Sequence, residues 1–209
     1  MQHTHVAFVN ATQFVSGASD GTLVLWNLSS KTRIYQYQLP GPVSVLLTWR
    51  NMVFVCGGGR DVVALDWRTF EAIGRLSGHG DIVHLSEKFV AKQVLATASL
   101  DKSVRFWSIP AFSCVKTLSF DVCITSMSAS VEPDVISLFA LFEDNVVRRI
   151  NIENGQTVVR WQINSDISPA FISVLNQSVF VGWRDSEVLL ATASSAPTSS
   201  SDNFTHAHR

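Results

Sequence analysis

The stretch ATASLDKSVRFWSI, residues 96–109, places an aspartate six residues before a tryptophan, between two short runs of strand-forming residues. Aspartate favours tight turns because its carboxylate accepts hydrogen bonds from nearby backbone N–H groups. The same arrangement returns in GASDGTLVLWNL (17–28), GGGRDVVALDWRT (57–69), FEDNVVRRINI (142–152) and WRDSEVLLATA (183–193). A turn followed by a strand is therefore a repeated unit of this chain.

The repeat has a period of about forty residues. Its turn aspartates are Asp20, Asp61, Asp101, Asp144 and Asp185, at intervals of 41, 40, 43 and 41 residues. Six residues after them stand Trp26, Trp67, Trp107, Ile150 and Ala191. A period of about 40–45 residues is typical of propeller blades, each of which has four strands.

The local pattern within each period also predicts four strands. The third repeat holds four short runs rich in β-forming residues, IVHLS (82–86), VLATAS (94–99), VRFWSI (104–109) and SCVKTL (113–118). Repeats one, two and four hold four such runs as well, whereas the fifth stops after AFISVL, SVFVGW and VLLATA. Because no segment keeps a helical period, we predict an all-β chain.

These residues resemble the WD-repeat (WD40) family. The third repeat carries the fullest set of family residues, namely Gly78, His79, Thr97, Asp101 and Trp107. The resemblance implies that each repeat is a WD40-type β-propeller blade. It also implies a structural chain of hydrogen bonds, in which His79 bonds to Asp101 and Thr97 links His79 to the indole N–H of Trp107.

The other repeats match the family less completely. Their turns are expected to be held by Asp20, Asp61, Asp144 and Asp185. The second repeat has Gly57 where the third has the hydroxyl of Thr97, and LPGP (39–42) replaces the Gly-His pair. No repeat ends in the dipeptide Trp-Asp, since Asn, Arg and Ser follow the three matching tryptophans. The subgroup of the family is therefore not identified.

The predicted architecture is four complete four-stranded blades plus a partial fifth within residues 1–192, followed by a disordered Ser-rich tail at 193–209. The blades are expected at about 3–39, 43–78, 79–118, 122–163 and 167–192. A propeller usually closes by joining strands from both termini, and no segment is left over to complete the fifth blade. Three arrangements follow. We favour an open or incomplete propeller that is a fragment or shortened isoform of a longer one; blades from another subunit or a tight five-blade ring are the alternatives.

Exposed turn residues form the predicted partner-binding rim. The residues directly before the turn aspartates are expected on one rim of the central channel: Ser19, Arg60, Leu100, Glu143 and Arg184. In WD-repeat proteins that rim commonly contacts peptides. The resemblance thus implies a non-catalytic scaffold that binds proteins or peptides within a larger complex, and the mixed charges of the rim favour a peptide over a polyanion.

Two alternative functions remain open. A substrate-receptor subunit of a ubiquitin ligase would be a specialised scaffold, although the WDxR string common in one receptor type is absent. An enzyme of unknown chemistry is the other alternative, but no local signature pairs a nucleophile with a base, and CGGGR (56–60) lacks the ending of a phosphate loop. We predict no catalytic residue, no metal site and no cofactor.

Charge, apolar runs and cysteine spacing limit the classes of partner and the cellular compartment that the sequence predicts. The net charge of −1 provides no overall field that attracts nucleic acid, so no nucleic-acid partner is predicted. No apolar run approaches the roughly 18 residues of a membrane span, and MQHTHVAFV (1–9) has no signal-peptide pattern. The three cysteines are widely spaced, which argues against a disulfide framework. We predict an intracellular protein of the cytoplasm or nucleus.

Overall fold

In a computed structural model the chain folds almost entirely into β-strands. The structure describes residues 3–131, 136–163, 169–175, 178–182, 188–192 and 205–206. These residues form five four-stranded antiparallel sheets, each built from four strands that are consecutive along the chain. The chain divides into two compact units, Met1–Ser119 and Phe120–Arg209.

The first unit contains three sheets. The first sheet is formed by β1 (His3–Asn10), β2 (Gln13–Ala18), β3 (Thr22–Asn27) and β4 (Thr32–Gln38). The second is formed by β5 (Val43–Trp49), β6 (Met52–Gly57), β7 (Val62–Asp66) and β8 (Ala72–Leu76). The third is formed by β9 (Val83–Phe89), β10 (Val94–Ser99), β11 (Ser103–Ser108) and β12 (Ser113–Ser119). One short 3₁₀ helix, Val90–Lys92, joins β9 to β10.

The second unit contains the fourth and fifth sheets. The fourth is formed by β13 (Ile124–Val131), β14 (Ile136–Phe142), β15 (Val146–Asn151) and β16 (Thr157–Gln162). The fifth is formed by β17 (Phe171–Leu175), β18 (Ser178–Gly182), β19 (Val188–Thr192) and β20 (Thr205–His206). The prediction of an all-β chain made of WD40-type four-stranded blades is confirmed.

The fourth strand of the fifth sheet comes from the C-terminal tail, where the sequence predicts disorder. β20 has only two residues, and Thr205 and His206 pair with β19. Backbone pairing of this kind covers part of an edge whose N–H and C=O groups would otherwise lack ladder partners. The rest of 193–209 lies outside the described residues, and its predicted disorder stays a prediction. The predicted domain and blade bounds stay predictions too.

Burial follows the position of a strand within its sheet. The middle strands are rich in buried residues, and all seven residues of β14 are buried. The outer strands β4 and β12 are mostly exposed. Buried aliphatic and aromatic residues therefore concentrate in the middle strands, while a fourth strand such as TRIYQYQ carries polar residues at an exposed edge.

The second sheet buries both of its faces inside the first unit. Since side chains alternate along a strand, β6 directs Val53 and Val55 into the cluster shared with the first sheet. It directs Phe54 and Cys56 into the cluster shared with the third sheet. All four of these residues are at most 1% exposed. Two apolar layers, one on each side of the second sheet, form the core of this unit.

The second unit has its own apolar layer between the fourth and fifth sheets. Its buried members are Phe139, Leu141, Val147, Ile163, Ile172, Val179 and Val181. At the inner strands, the hydroxyl oxygens of Ser126 and Ser128 accept hydrogen bonds from the backbone N–H groups of Ile172 and Val174, at 3.1 and 3.2 Å. The two sheets are thus joined by apolar packing and by hydrogen bonds.

Polar side chains also join the inner strands of the first unit. The hydroxyl of Thr48 on β5 donates to the carbonyl of Phe8 on β1 at 2.7 Å. Nζ of Lys88 on β9 donates to the carbonyl of Thr48 at 3.1 Å. Each donor lies 40 residues after its acceptor. The sequence repeat therefore returns as a series of bonds from one inner strand to the preceding one.

Replacing Thr48 by Val is expected to destabilise the chain by about 0.5–1.5 kcal/mol, because the shape is kept while the hydrogen bond between β5 and β1 is lost. Urea unfolding measured by circular dichroism checks this. The control is Thr157→Val, because Thr157 is exposed on β16 and its hydroxyl bonds to none of the described residues. Equal midpoints for the two variants would contradict the role of Thr48.

Candidate functional site

Four side chains of the third sheet form a continuous chain of hydrogen bonds. Nδ1 of His79 lies 2.9 Å from Oδ2 of Asp101, and Nε2 of His79 lies 2.8 Å from Oγ1 of Thr97. The indole Nε1–H of Trp107 donates to the same Thr97 oxygen at 2.8 Å. His79, Thr97 and Trp107 are buried, so few of these polar groups can exchange a partner for water.

The direction of the chain follows from what each group can donate. An ionised carboxylate only accepts, so we assign the ring proton to Nδ1 of His79, which donates to Asp101. Nε2 then accepts from the hydroxyl of Thr97, and the oxygen of that hydroxyl accepts from the Trp107 indole. Every polar atom of the chain has a partner only when His79 is neutral with this tautomer.

The pKa values agree with a neutral histidine beside a charged aspartate. Burial lowers the pKa of His79, and the hydrogen bond and charge of Asp101 only partly oppose this. Burial acts to raise the pKa of Asp101, but hydrogen bonds from Ser103, Gly80 and His79 outweigh it and lower that pKa to about 2. At neutral pH the site therefore holds one fixed negative charge.

Asp101 also fixes the turn between β10 and β11. Its Oδ1 accepts from the backbone N–H of Ser103 at 2.9 Å and from the Ser103 hydroxyl at 2.6 Å. Its Oδ2 accepts from the backbone N–H of Gly80 at 2.8 Å, in the loop before β9. Lys102, in the middle of the turn, has a positive φ of 63°. One carboxylate thus ties a tight hairpin to the loop that enters the same sheet.

The other turn aspartates do less. Oδ1 of Asp20 accepts from the backbone N–H of Thr22 at 2.9 Å, and Oδ1 of Asp144 accepts from that of Val146 at 3.2 Å. Asp61 instead forms an exposed ion pair with Arg75 at 3.1 Å. Asp185 lies outside the described residues. The turn aspartate caps its hairpin in the first, third and fourth sheets, and only in the third does a histidine reinforce it.

The tryptophans of the first two repeats differ in their partners. The indole of Trp26 donates to the Ser16 hydroxyl at 2.8 Å, as the Trp107 indole does to Thr97. The Nε1 atom of Trp67 is buried and has no hydrogen-bond partner among the described residues. The strand register places Leu65, and not Trp67, at the position of Trp107, because Leu65 pairs with Val53 as Trp107 pairs with Leu95. Trp67 follows the end of β7, so the second repeat differs from the third in the position of its tryptophan.

The fourth repeat has no tryptophan at this position and forms a different side-chain hydrogen bond. Ile150 is fully buried at the position of the tryptophan, and the Ser137 hydroxyl accepts from Nε of Arg149 at 3.0 Å. Ala191, at that position of the fifth repeat, has no described side chain.

The predicted rim residues are exposed wherever the structure describes them. Ser19, Arg60 and Leu100 are exposed in the first unit, in the loops between the second and third strands of its three sheets. Leu100 is an apolar side chain with 43% exposure. Glu143 is exposed in the second unit, whereas Arg184 lies outside the described residues. A contact role for these side chains remains a prediction.

Comparison with known proteins identifies the repeat. A model of the family described as "WD domain, G-beta repeat" matches residues 70–108. That segment contains β8 to β11 and therefore all four side chains of the hydrogen-bond chain. Residues 70–108 are thus similar to one repeat of the WD-repeat family.

Two of the similar proteins are Pre-mRNA-processing factor 19 of Mus musculus and of Rattus norvegicus, each 23% identical over 136 residues. This match covers 64% of the chain and 27% of each relative. U3 small nucleolar RNA-associated protein 21 of Saccharomyces cerevisiae is 20% identical over 127 residues, which cover 60% of the chain and 14% of the relative. The chain therefore spans less than a third of the length of these relatives.

Sequence reasoning missed three groups around the WD-repeat turn. Ser103 and Gly80 both donate to Asp101, and the Ser99 hydroxyl donates to the backbone carbonyl of Asp81 at 2.9 Å. Ser103 stands two residues after Asp101, as Thr22 stands two after Asp20, and this spacing was a usable signal. The hydrogen bond from the Gly80 backbone N–H could not be predicted from the sequence, because it does not depend on a side chain.

Within the described ranges, no helix has the length and apolar character needed to cross a bilayer. The same residues contain no group of three or more His, Cys, Asp or Glu side chains placed to hold a metal ion.

Replacing Thr97 by Val is expected to lower the free energy of unfolding by about 1–3 kcal/mol or more. Valine has nearly the shape of threonine, but it leaves the buried Trp107 N–H and His79 Nε2 without a hydrogen-bond partner. Thermal and urea unfolding measure the change. Thr117→Val on the exposed strand β12 is the control and should change stability by less than about 0.5 kcal/mol. A Thr97→Val variant as stable as this control would contradict the structural role of the chain.

Acidification is expected to weaken the third sheet through His79. The pKa of His79 is lower in the folded chain than its ordinary value of 6.5, so folding favours the neutral imidazole. The resulting contribution to stability is fully present above pH 6.5 and is lost as the pH falls below that value. Glu87 on β9 acts in the opposite direction, since burial raises its pKa to about 7. The measurement therefore uses a Glu87→Gln background.

In that background, the free energy of unfolding should fall between about pH 7 and pH 5, and adding His79→Gln should lessen the fall. Any remainder is expected from His5, whose pKa burial also lowers. An undiminished fall after His79→Gln would contradict the assignment of a neutral His79. Below about pH 4, loss of the Asp101 charge should destabilise the chain further, because its pKa is lowered from 3.8 to about 2.

Proposed function

We propose that this chain is a non-catalytic platform that binds a protein or peptide within a larger complex. The observation that carries the proposal is that the polar side chains inside the third sheet bond to one another. The hydrogen-bonding groups of His79, Thr97, Asp101 and Trp107 are engaged with one another. These side chains stabilise one sheet, and we therefore place recognition of a partner on the exposed residues around it.

The exposed rim of the first unit supplies such residues. Ser19, Arg60 and Leu100 lie in the loops that join the second and third strands of three sheets, and each loop is held in place by a sheet with a buried core. Binding residues commonly lie on loops positioned by a rigid scaffold. One hydroxyl, one guanidinium and one apolar side chain offer mixed chemistry, which suits a polypeptide better than a uniformly charged polymer.

The names of the relatives support a place in nuclear RNA-processing assemblies. One is named for pre-mRNA processing and the other for association with a small nucleolar RNA. The platform would contact a protein component of such an assembly, because the net charge of −1 supplies little attraction for RNA. The proposed location is the nucleus.

The test is quantitative affinity purification of the tagged chain from nuclear extract, comparing the wild type with Leu100→Asp. The introduced charge is expected to reduce the co-purified partner about tenfold or more, because a buried apolar contact would be replaced by an unpaired carboxylate. Val115→Asp, which changes another exposed apolar residue, on β12, is the control and should retain the partner.

Two results would contradict the proposal. Equal recovery of the partner with Leu100→Asp and with Val115→Asp would exclude the rim as its binding surface. A chain that recovers no partner in a fixed ratio would contradict the platform itself.

A further inference from the structure

The second sheet carries a cavity at the end where its hydrogen-bond chain is missing. The cavity has a volume of about 340 Å³ and lies between the first and second sheets of the first unit. We propose that it binds a peptide segment in which a carboxylate side chain neighbours an apolar side chain. This inference rests on the proposed interaction function and specifies the partner for one part of the rim.

The cavity arises from two differences between the second and third repeats. Leu39 stands four residues before the first residue of β5, as His79 stands four residues before that of β9. Val55 pairs with Val63 as Thr97 pairs with Arg105, so Val55 holds the strand position of Thr97. The second repeat thus has neither the imidazole nor the hydroxyl that occupies this region of the third, and Leu39 and Val55 both line the cavity.

The floor and walls of the cavity are apolar. Leu39, Val55 and Leu65 contribute buried side chains, and Tyr37 and Ala72 line it from the outer strands of the two sheets. Ligand cavities commonly measure about 300–1,000 Å³, so this one suits one or two side chains and not a whole domain. An aliphatic side chain of a bound segment would find apolar contacts there.

Charged groups at the mouth select the second feature of the ligand. Arg60, Asp61 and Arg75 all line the cavity. Asp61 pairs with Arg75, whose side chain is still 62% exposed. Arg60 is exposed and makes no hydrogen bond or ion pair with the described residues. Two guanidinium groups against one carboxylate leave an excess positive charge.

A guanidinium group binds a carboxylate through two parallel hydrogen bonds. We therefore place an aspartate or glutamate of the partner between Arg60 and Arg75, with its apolar neighbour in the cavity. The geometry requires no rearrangement of the buried core, because both arginines lie at the surface.

A second cavity in the same unit provides a matched control. It measures about 300 Å³, lies between the second and third sheets, and is lined by Arg50, Trp49 and Phe112 among others. It carries a single arginine and no acidic side chain among its lining residues. Arg50→Gln therefore removes the same charge from a cavity of similar size.

The experiment selects a phage-displayed library of random seven-residue peptides against the whole immobilised chain. Enriched peptides are then synthesised with a fluorescent label, and their dissociation constants are measured by anisotropy. We expect an Asp or Glu beside Leu, Ile or Val in the enriched sequences. Arg60→Gln and Arg75→Gln should each weaken binding about tenfold or more, whereas Arg50→Gln should leave it unchanged.

Two further comparisons test each half of the ligand. Replacing the acidic residue of the peptide by its amide should weaken binding as the arginine variants do. Ala72→Leu should weaken binding by filling the cavity without removing charge. Ala72 is exposed, so this variant is expected to fold, and circular dichroism and the melting temperature verify that every variant does.

The outcomes separate this inference from the proposed function. Failure to enrich any peptide, enrichment without acidic residues, or equal affinity for Arg60→Gln and Arg50→Gln would overturn the cavity site. If Leu100→Asp abolishes recovery of the cellular partner while Arg60→Gln and Arg75→Gln do not, the platform stands and the cavity site falls.

Discussion

A sheet that lies between two others must bury both of its faces, and this constraint governs the first unit. The second sheet satisfies it by alternation, with Val53 and Val55 on one side and Phe54 and Cys56 on the other. Both faces of the middle strands must then be apolar, which explains a chain that is 46% hydrophobic and only 16% charged. Polar residues lie in the turns, on the outer and inner strands and at a few internal positions.

One of those internal positions shows how a repeat can keep polar residues inside. His79 is bonded at both ring nitrogens, and Asp101 accepts from side chains and backbone alike. Leaving such groups unpaired would cost about 1–3 kcal/mol each, so each buried polar group needs a bonded partner. The second repeat has Leu39, Val55 and Leu65 at the positions of His79, Thr97 and Trp107, and these three apolar residues line an open cavity.

Much of the fold could be predicted because it is written in spacing. The aspartate-to-tryptophan interval and the forty-residue period predict the strands and their order. In the second repeat that interval misplaces the tryptophan, because Leu65 and not Trp67 pairs with the preceding strand as Trp107 does. The bonds made by backbone atoms could not be predicted in the same way. Gly80 donates through its N–H and Phe8 accepts through its carbonyl, and neither role depends on the identity of the side chain. β20 was missed because a two-residue strand has no periodicity to detect.

The bonds between inner strands have an evolutionary consequence. Thr48 and Lys88 each reach a main-chain carbonyl of the preceding inner strand, and Ser126 and Ser128 receive main-chain N–H groups of the next one. In each of these bonds one partner is a backbone atom. The residue that contributes the backbone atom can therefore be substituted without loss of the bond. A duplicated repeat could therefore dock on its neighbour at once and diverge afterwards, which is consistent with five sheets of like topology and so little sequence in common.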